Sequence, residues 1–409
     1  MARRRLDVRL SNMPKMRRIV RVLCAAGILS VGIWILHYAI LNSPGAVVKD
    51  SIQYWASSKL LLAHSNPYNR VNVFRLERWA GVPIGHGGVT PNPPFALFLT
   101  LPLGFFAPRT AIFLWALMII AAIVISVRVL WLLNGRPPDR LHLLGYVFAP
   151  VVACVPLGQI LPFELLGVTL FLWLNRTYPL LAGLGFALLT IKPQLLIPFG
   201  IAAILWGAVR KQYAFLVGVF IGTGILFSVP FYFDPHIVIH YLPIIHFENA
   251  YTRIMPNYST LLHRLDPGVG FLQYALAVGA GCWAIWWFLR RGDRWDWNNE
   301  GLLLIMISVI AAPYYGFEDE ALVLPAILSA IYLCADSGIL LTSYGFIDGA
   351  ALLLVVINVK FYSGAYIWTG VAWLCWYCYV RYFSRASAAM KGDNAKTAAM
   401  LPGVRGKRD

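Results

Sequence analysis

Long runs of apolar residues restrict most strongly how this chain can fold. The runs Ile19–Leu41, Thr110–Leu133 and Phe215–Phe233 are each long enough to cross the ~30 Å hydrocarbon core of a bilayer as a helix. Hydrophobic residues make up 59% of the chain and charged residues 13%, whereas a soluble domain normally has about 25% charged residues. We therefore expect an integral membrane protein that crosses the bilayer several times.

The expected fold class is an all-α, polytopic transmembrane bundle. Backbone in hydrocarbon must satisfy its own hydrogen bonds, and no alternating strand pattern recurs along the chain. The apolar segment 94–107 is short and is interrupted by Pro102, so we expect it to be re-entrant or interfacial. About twelve spans are predicted, at 19–41, 109–133, 141–157, 160–175, 178–191, 193–209, 212–232, 268–290, 301–314, 320–335, 339–358 and 362–383.

Most of the net charge of +16 lies at the two ends of the chain. Residues 1–21 hold eight Lys or Arg with Asp7, and the tail from Arg381 holds seven with Asp393 and Asp409. Basic flanks mark the cytoplasmic side of membrane helices, so this charge indicates topology rather than nucleic-acid binding. With both termini cytoplasmic, we expect a basic tail at 1–18, one membrane domain at 19–383 with outer loops 42–93 and 233–267, and a basic, disordered tail at 384–409.

Two polar residues near the expected outer face each allow two interpretations. Asp50 comes shortly after the first predicted span. It could cap a helix along the membrane surface, with Gln53 three residues on and Trp55 at the interface, or it could be a general base. Lys192 follows an apolar helix, so it could extend to the lipid head groups or bind a phosphate. Glu164 lies inside an apolar segment, where a carboxylate usually faces the protein interior.

Other charged groups occur in the expected outer connections. Arg253 and Arg264 run against the usual charge bias of outer loops, so they bind either a phosphate or neighbouring carboxylates such as Glu248 and Asp266. The run Glu318–Glu320 could complement a helix dipole or hold sugar hydroxyls or a metal. Successive helical residues point in different directions, so all three should not serve one ligand. The eight histidines are scattered without an HxxxH pair, and no metal site is expected.

The order of these residues resembles glycosyltransferase family 87, the polyprenol-phosphate-mannose-dependent mannosyltransferases of the GT-C superfamily. The series begins with an acidic residue soon after the first helix and runs from about residue 40 to residue 325. It comprises Asp50, Tyr54, Asn66-Pro67-Tyr68, Pro93-Pro94, Gly158-Gln159, Lys192-Pro193, Asn257-Tyr258-Ser259 with Arg264, and Pro313-Tyr314 with Asp319. Family members often have an aromatic where this chain has Asn92 and an Asn where it has Leu161, which leaves the sugar and the acceptor open.

The resemblance implies sugar transfer, with inversion, from a polyprenyl-phosphate donor to an acceptor hydroxyl on the outer face of a bacterial cytoplasmic membrane. Asp50 is then the catalytic base, and Lys192, Arg264 and Arg253 bind the donor phosphate. The partners implied are the lipid-linked sugar donor, a glycolipid, glycan or other hydroxyl acceptor, and the bilayer, with no cofactor and no nucleic acid. The implied substrate-binding residues are Gln53, Tyr54, Asn66, Tyr68, Gln159, Gln194, Asn257, Ser259, Glu318 and Asp319.

Two other functions fit parts of the sequence. A transporter or flippase of lipid-linked substrates is compatible with twelve helices, and Glu164 and Asp348 could be relay groups. No internal repeat and no pair of broken helices of the transporter kind is evident, however. A third option is a GT-C-like scaffold without activity.

Overall fold

The computed structural model describes residues 49–252, 255 and 257–383, without the side chains of 246–252. This part of the chain is helical and contains no strand, which confirms the predicted all-α fold for it. The predicted span 19–41 and the tails 1–18 and 384–409 lie outside the described residues. The helices in chain order are α1 (Asp50–Leu62), α2 (Arg70–Trp79), α3 (Pro94–Thr100), α4 (Pro108–Leu133), α5 (Leu144–Val147), α6 (Ala149–Leu157), α7 (Leu161–Leu174), α8 (Pro179–Phe186), α9 (Ile197–Val209), α10 (Tyr213–Phe233), α11 (Ile237–Thr252), α12 (Tyr258–Leu265), α13 (Leu272–Arg291), α14 (Leu302–Ile310), α15 (Leu324–Leu333), α16 (Gly338–Val356) and α17 (369–383).

Four of the described helices have the length and apolar composition to cross a membrane. They are α4, α10, α16 and the segment Leu272–Arg294 that extends α13. The prediction of twelve spanning helices is not confirmed. Within the segment 94–107, predicted to be re-entrant or interfacial, Pro94–Phe105 forms α3 and a 3₁₀ turn and belongs with the shorter apolar helices.

Prolines divide several of the predicted spans into short helices. The segment 141–157 becomes a 3₁₀ turn, α5 and then α6, which has Pro150 in its first turn. The segment 193–209 begins with the 3₁₀ turn Pro193–Leu195 and restarts as α9 with Pro198. Proline fixes φ and has no N–H, so it ends one helix and suits the first turn of the next. The resulting turns bring polar residues into an otherwise apolar bundle.

Small residues and aromatic rings hold these short helices together. A Cβ on Gly183 of α8 would lie 2.1 Å from the Phe215 carbonyl oxygen, and one on Gly218 of α10 would lie 2.2 Å from the Leu180 carbonyl oxygen. Glycine at both positions therefore lets the two backbones approach closely, as is common between membrane helices. Beside them, the ring of Phe171 in α7 contacts several aromatic rings, those of Phe186, Phe199, Phe215, Trp206 and Trp297.

Helix α1 packs inside the protein, beneath α2 and α3. Trp55 is 1% exposed, and its indole Nε1 donates a hydrogen bond to the Phe106 carbonyl oxygen at 3.0 Å. Ser58 donates to Thr100 Oγ1 at 3.0 Å. Trp55, which the sequence predicts at the membrane interface, is therefore covered by protein. Burial of α1 holds its first residue, Asp50, against the neighbouring turns.

Candidate functional site

One cavity of about 360 Å³ collects most of the polar residues singled out in the sequence. Its walls come from the start of α1, from α2, from the loop 86–93, and from the turns that follow α6, the helix α8 and the helix α14. Among its lining residues are Asp50, Gln53, Tyr54, Gln159, Lys192, Gln194, Glu318 and Asp319. The series of short helices thus brings together residues that lie up to 269 positions apart in the sequence, from Asp50 to Asp319.

Asp50 is the first residue of α1 and faces this cavity. The N-cap position is occupied by Lys49, so the interpretation of Asp50 as an N-cap is wrong. Its Oδ2 accepts a hydrogen bond from Gln159 Nε2 at 2.5 Å. Burial raises the pKa of the Asp50 carboxyl to about 6, although the positive charge of Lys192 opposes the shift. The group is therefore mostly ionised at neutral pH and close enough to its pKa to exchange a proton.

The turn Gly158-Gln159 fits tightly against the start of α1. Gly158 has φ +70°, and a Cβ at this position would lie 2.9 Å from the Cβ of Ser51. Its carbonyl oxygen accepts a hydrogen bond from Trp115 Nε1 at 2.8 Å. A residue other than glycine would be strained in this left-handed conformation and would push the turn away from α1. Gly158 therefore allows the next side chain, Gln159, to reach Asp50.

The Gln159 amide connects the acidic and basic groups of the cavity. Its Nε2 donates to Asp50 and, at 3.3 Å, to Glu318 Oε1, while its Oε1 accepts from Lys192 Nζ at 3.2 Å. One amide orientation satisfies all three bonds, because both carboxylates meet the NH₂ group and the ammonium meets the carbonyl oxygen. Gln159 thus fixes the positions of Asp50 and Lys192 relative to each other.

Lys192 forms a buried ion pair with Asp319. Its Nζ lies 2.8 Å from Asp319 Oδ1, and the side chains are 11% and 7% exposed. Burial by itself would lower the pKa of the ammonium, but Asp319, Tyr54 and Glu318 together outweigh this effect and the pKa is raised. The interpretation of Lys192 as a residue that extends to the head groups is therefore wrong. Asp319 Oδ2 also accepts from the Gly316 N–H at 2.9 Å.

The three adjacent carboxylates diverge, as their consecutive positions predict. Glu318 and Asp319 line the cavity, whereas Glu320 Oε1 accepts a hydrogen bond from Thr369 Oγ1 at 2.9 Å. Burial and the nearby Asp319 raise the pKa of Glu318 to about 8. Glu318 Oε2 has no hydrogen-bond partner among the described residues. The Glu318 carboxyl is therefore mostly neutral at pH 7 and adds little negative charge to the cavity.

The outer wall of the cavity contains residues that the sequence had not singled out. Arg70 and Phe74 of α2, together with His86, line it. Glu77 lies on the same face of α2, where its two carboxylate oxygens accept from the Gly88 N–H at 3.2 and 3.4 Å. Burial raises the pKa of Glu77 to about 7. The sequence could have pointed to Glu77, because it is the sole acidic residue between Asp50 and Asp139.

Four of the predicted substrate-binding residues have structural contacts and are not among the residues that line this cavity. Asn66 Oδ1 accepts from the Tyr68 N–H at 2.8 Å, and Tyr68 Oη donates to the Asn92 carbonyl oxygen at 3.0 Å. Asn257 caps α12 by accepting from the Thr260 N–H at 2.9 Å, and Ser259 Oγ donates to the Ala312 carbonyl oxygen at 2.8 Å. These contacts hold the loops around the cavity.

Of the two predicted phosphate-binding arginines, the structure describes Arg264. Arg264 is exposed on the last turn of α12 and does not line the cavity in the described part of the chain. Arg253 lies outside the described residues. Within those residues, no group of three or more His, Cys, Asp or Glu side chains is arranged to hold a metal ion.

Comparison with known proteins gives one match. A family model described as glycosyltransferase family 87 matches residues 90–313, more than half of the chain. The matched region includes Gln159 and Lys192, and it excludes Asp50 before it and Glu318 and Asp319 after it. No curated protein matches the chain, and no solved structure matches it either.

We expect Lys192→Met to lower the free energy of unfolding by about 3 kcal/mol, because it leaves the Asp319 carboxylate buried without its cation. Removal of both charges in Lys192→Met/Asp319→Asn should recover most of this loss, since the amide oxygen can still accept from Gly316. Unfolding of the purified variants in detergent measures both effects. A double variant no more stable than Lys192→Met would contradict the unpaired Asp319 carboxylate as the source of the loss.

Proposed function

Since the chain belongs to glycosyltransferase family 87, we propose that it transfers a sugar, mannose, from a polyprenyl-phosphate donor to a hydroxyl group of an acceptor. The observation that carries this proposal is the link between the Asp50 carboxylate and the buried Lys192 ammonium through the single amide of Gln159. Sugar transfer from a phosphate needs a base for the acceptor and a cation for the leaving group. Both are held in one cavity here.

In the proposed reaction, the acceptor oxygen attacks the anomeric carbon as the bond from that carbon to the phosphate oxygen breaks. Asp50 takes the proton of the acceptor hydroxyl, and the configuration at the anomeric carbon is inverted. The leaving group is polyprenyl phosphate. Because this group is already a phosphate monoester, the proposed reaction uses neither a nucleotide nor a metal ion. The acceptor is a glycolipid, a glycan or another molecule that offers a hydroxyl group.

Lys192 is the proposed cation for the donor phosphate. An ammonium has three N–H donors, and two of them go to Gln159 and Asp319. The third is available for a phosphate oxygen, and the side chain lines the cavity. Since its pKa is raised, Lys192 stays protonated throughout the neutral range and needs no proton to bind an anion.

An apolar groove of about 620 Å³ next to Lys192 supports a lipid-linked donor. Thr190 and Pro193, which flank Lys192, line one end of it. Along α9, the lining residues recur on one helical face, at Ile197, Gly200, Ile201, Ile204, Leu205 and Ala208. A polyprenyl chain bound here would remain in apolar surroundings while its phosphate reached the Lys192 ammonium.

The proposed setting is the bacterial cytoplasmic membrane, with the cavity on the outer face and both termini in the cytoplasm. The basic ends of the chain support this orientation. Mannose is supported by the resemblance of the ordered motifs to polyprenol-phosphate-mannose-dependent enzymes.

The contacts of one predicted relay group favour an enzyme over a transporter. Asp348 Oδ1 accepts from the Ala149 N–H at 2.8 Å, and Asp348 Oδ2 accepts from Tyr344 Oη at 3.4 Å. Asp348 therefore accepts the backbone N–H of the first residue of α6, which is a structural role. Glu164 is fully buried and lies outside the cavity lining.

We expect Asp50→Asn to lower sugar transfer by about 10²- to 10⁴-fold, because the amide cannot accept the proton of the acceptor. The measurement is turnover of polyprenyl-phosphate-linked mannose by the purified protein in a membrane mimic, with an alkyl mannoside as acceptor. Asp266→Asn, at an exposed carboxylate, is the matched control and should leave transfer unchanged. Normal turnover by Asp50→Asn with an intact fold would show that Asp50 is not the base.

We expect kcat/KM to rise with pH and to level off above about 6, because Asp50 must be ionised to accept a proton and its pKa is raised to about 6. The rate should fall about tenfold for each pH unit below this value. Lys192→Met should move the rising part of the pH profile to higher pH, since the ammonium lowers the pKa of Asp50. A profile that is flat from pH 4.5 to 7.5 would contradict Asp50 as the titrating base.

We expect Gly200→Phe to raise KM for a long-chain polyprenyl donor by about tenfold, because the ring fills a groove position where a Cβ meets no atom within 4 Å, and excluded methylene groups each cost ~0.8 kcal/mol. A short-chain donor should be affected much less. Gly224→Phe is the control, since Gly224 is equally open but lies outside the groove on α10. An equal effect on both donor lengths would contradict the groove as the site of the lipid chain.

A further inference from the structure

Helix α2 has two faces with different roles. One face carries Arg70, Phe74 and Glu77, which line or support the cavity. The opposite face is formed by Val71, Arg75, Arg78 and Trp79, which helical spacing places next to one another. Val71 is 65% exposed and Trp79 is 72% exposed, and both arginines are exposed as well. The outward face is therefore both apolar and positively charged.

Contacts through Trp55 place this outward face at the end of a membrane span. The ring of Trp79 stacks on that of Trp55, with centroids 6.0 Å apart and an interplanar angle of 13°. Trp55 Nε1 in turn donates to the carbonyl oxygen of Phe106. Phe106 stands two residues before Pro108, where the 26-residue apolar helix α4 begins. The C-terminal end of α2 consequently lies near the first residues of α4, which has the length and composition to cross a membrane.

Exposed aromatic rings continue the apolar surface toward α4. Phe105 is 71% exposed and Phe106 is 42% exposed. Rings of this kind are typical of the boundary between hydrocarbon and head groups. Together with Trp79 they form a surface that water would solvate poorly and that a bilayer boundary would accept.

The charge around this surface is one-sided. Residues 51–107 contain Lys59, Arg70, Arg75 and Arg78, and their single acidic residue is Glu77. Glu77 is 1% exposed and faces Gly88, on the cavity side. The arginines of the outward face therefore project from a segment whose one carboxylate is directed away from them. Their long side chains can extend from the boundary toward phosphate groups.

We propose that the outward face of α2, with Phe105 and Phe106, rests on the bilayer boundary and that Arg75 and Arg78 bind the phosphates of anionic phospholipids. Continuity with the end of α4 and the positive charge favour a lipid surface over a protein partner. The opposite face of α2 holds the cavity wall through the bonds from Gly88 to Glu77. Lipid contact on one face thus sets the position of the wall on the other.

The experiment places a fluorescent label on this face and asks which lipid surrounds it. Val71→Cys is labelled with an environment-sensitive dye in a protein in which Cys24, Cys282, Cys375 and Cys378 are replaced by Ala, because Cys154 and Cys334 are buried and should not react. The labelled protein is reconstituted in phosphatidylcholine vesicles. Two vesicle preparations are compared. Each contains the same small fraction of a nitroxide-labelled lipid, which is phosphatidylglycerol in one and phosphatidylcholine in the other, with the nitroxide near the head-group end of the acyl chain.

We expect both nitroxide lipids to quench the dye, with phosphatidylglycerol about three- to tenfold more effective because two arginines attract it. Arg75→Gln/Arg78→Gln should bring this ratio close to one. Arg70→Gln, on the cavity face of the same helix, is the matched control and should keep the ratio. The single variants Arg75→Gln and Arg78→Gln should give intermediate ratios, and elution as a single species in detergent verifies the fold of each variant.

Three results would overturn the proposal. Equal quenching by the two lipids in the parent protein would show that this face does not prefer anionic head groups. Quenching by aqueous iodide and by neither lipid would place the face in water and leave it for a protein partner. If Arg70→Gln abolished the stronger quenching by phosphatidylglycerol and Arg75→Gln/Arg78→Gln kept it, the lipid would be assigned to the cavity face. None of these results depends on catalytic turnover, so they stand apart from the test of sugar transfer.

Discussion

The buried contact between Lys192 and Asp319, extended through Gln159 to Asp50, joins parts of the chain that are otherwise far apart. It connects the start of α1, the turn after α6, the turn before α9 and the 3₁₀ helix before α15. An ion pair in a low-dielectric interior gains stability only when further hydrogen bonds satisfy its members. Here Gln159 bonds to Lys192, and the Gly316 N–H bonds to Asp319. A cavity built in this way is pre-organised before a ligand enters it.

The short helices follow from the same requirement. A long straight helix inside a bundle presents mainly side chains, and its backbone polar groups are used in its own hydrogen bonds. The turns at Gly158 and Lys192 interrupt such helices, and irregular backbone is tolerated at membrane depth where it is buried in protein or lines a cavity. The prolines at 150, 162, 193 and 198 end or restart helices around these turns. The broken helices are therefore what allows polar groups to converge in an apolar chain.

The sequence predicts the class of the fold and the centre of the site, but not the outer wall of the cavity. Asp50, Gln159, Lys192 and Asp319 stand out because polar residues next to apolar runs need a reason to be there, and the ordered series resembles one family. Asn257 and Tyr68 stand out equally and are found to cap and brace loops, because amides and phenols serve structure and substrate alike.

The remaining differences between sequence and structure have physical causes. Arg70, Phe74 and His86 are ordinary loop or helix residues in the sequence, and only the path of the chain shows that they face the cavity. Apolar composition does not show where a helix breaks, so it predicts neither the ends nor the number of the spanning helices. A proline in the sequence does not by itself show whether a helix kinks at that residue or ends and starts again.

The charge balance of the cavity bears on how a phosphate can enter it. Asp50, Glu318 and Asp319 are three carboxyl groups beside one ammonium, and three ionised carboxylates would repel an anionic donor. Burial raises the pKa of Glu318 to about 8, so this group is mostly neutral at pH 7 and the net charge of the four groups is close to −1. With Lys192 and Asp319 compensating each other, Asp50 carries the remaining charge. In the proposed reaction that charge disappears when Asp50 takes the proton of the acceptor, at the stage when the leaving phosphate gains negative charge. The site would then exchange one negative charge for another, while the Lys192 ammonium supplies a hydrogen bond to the departing group.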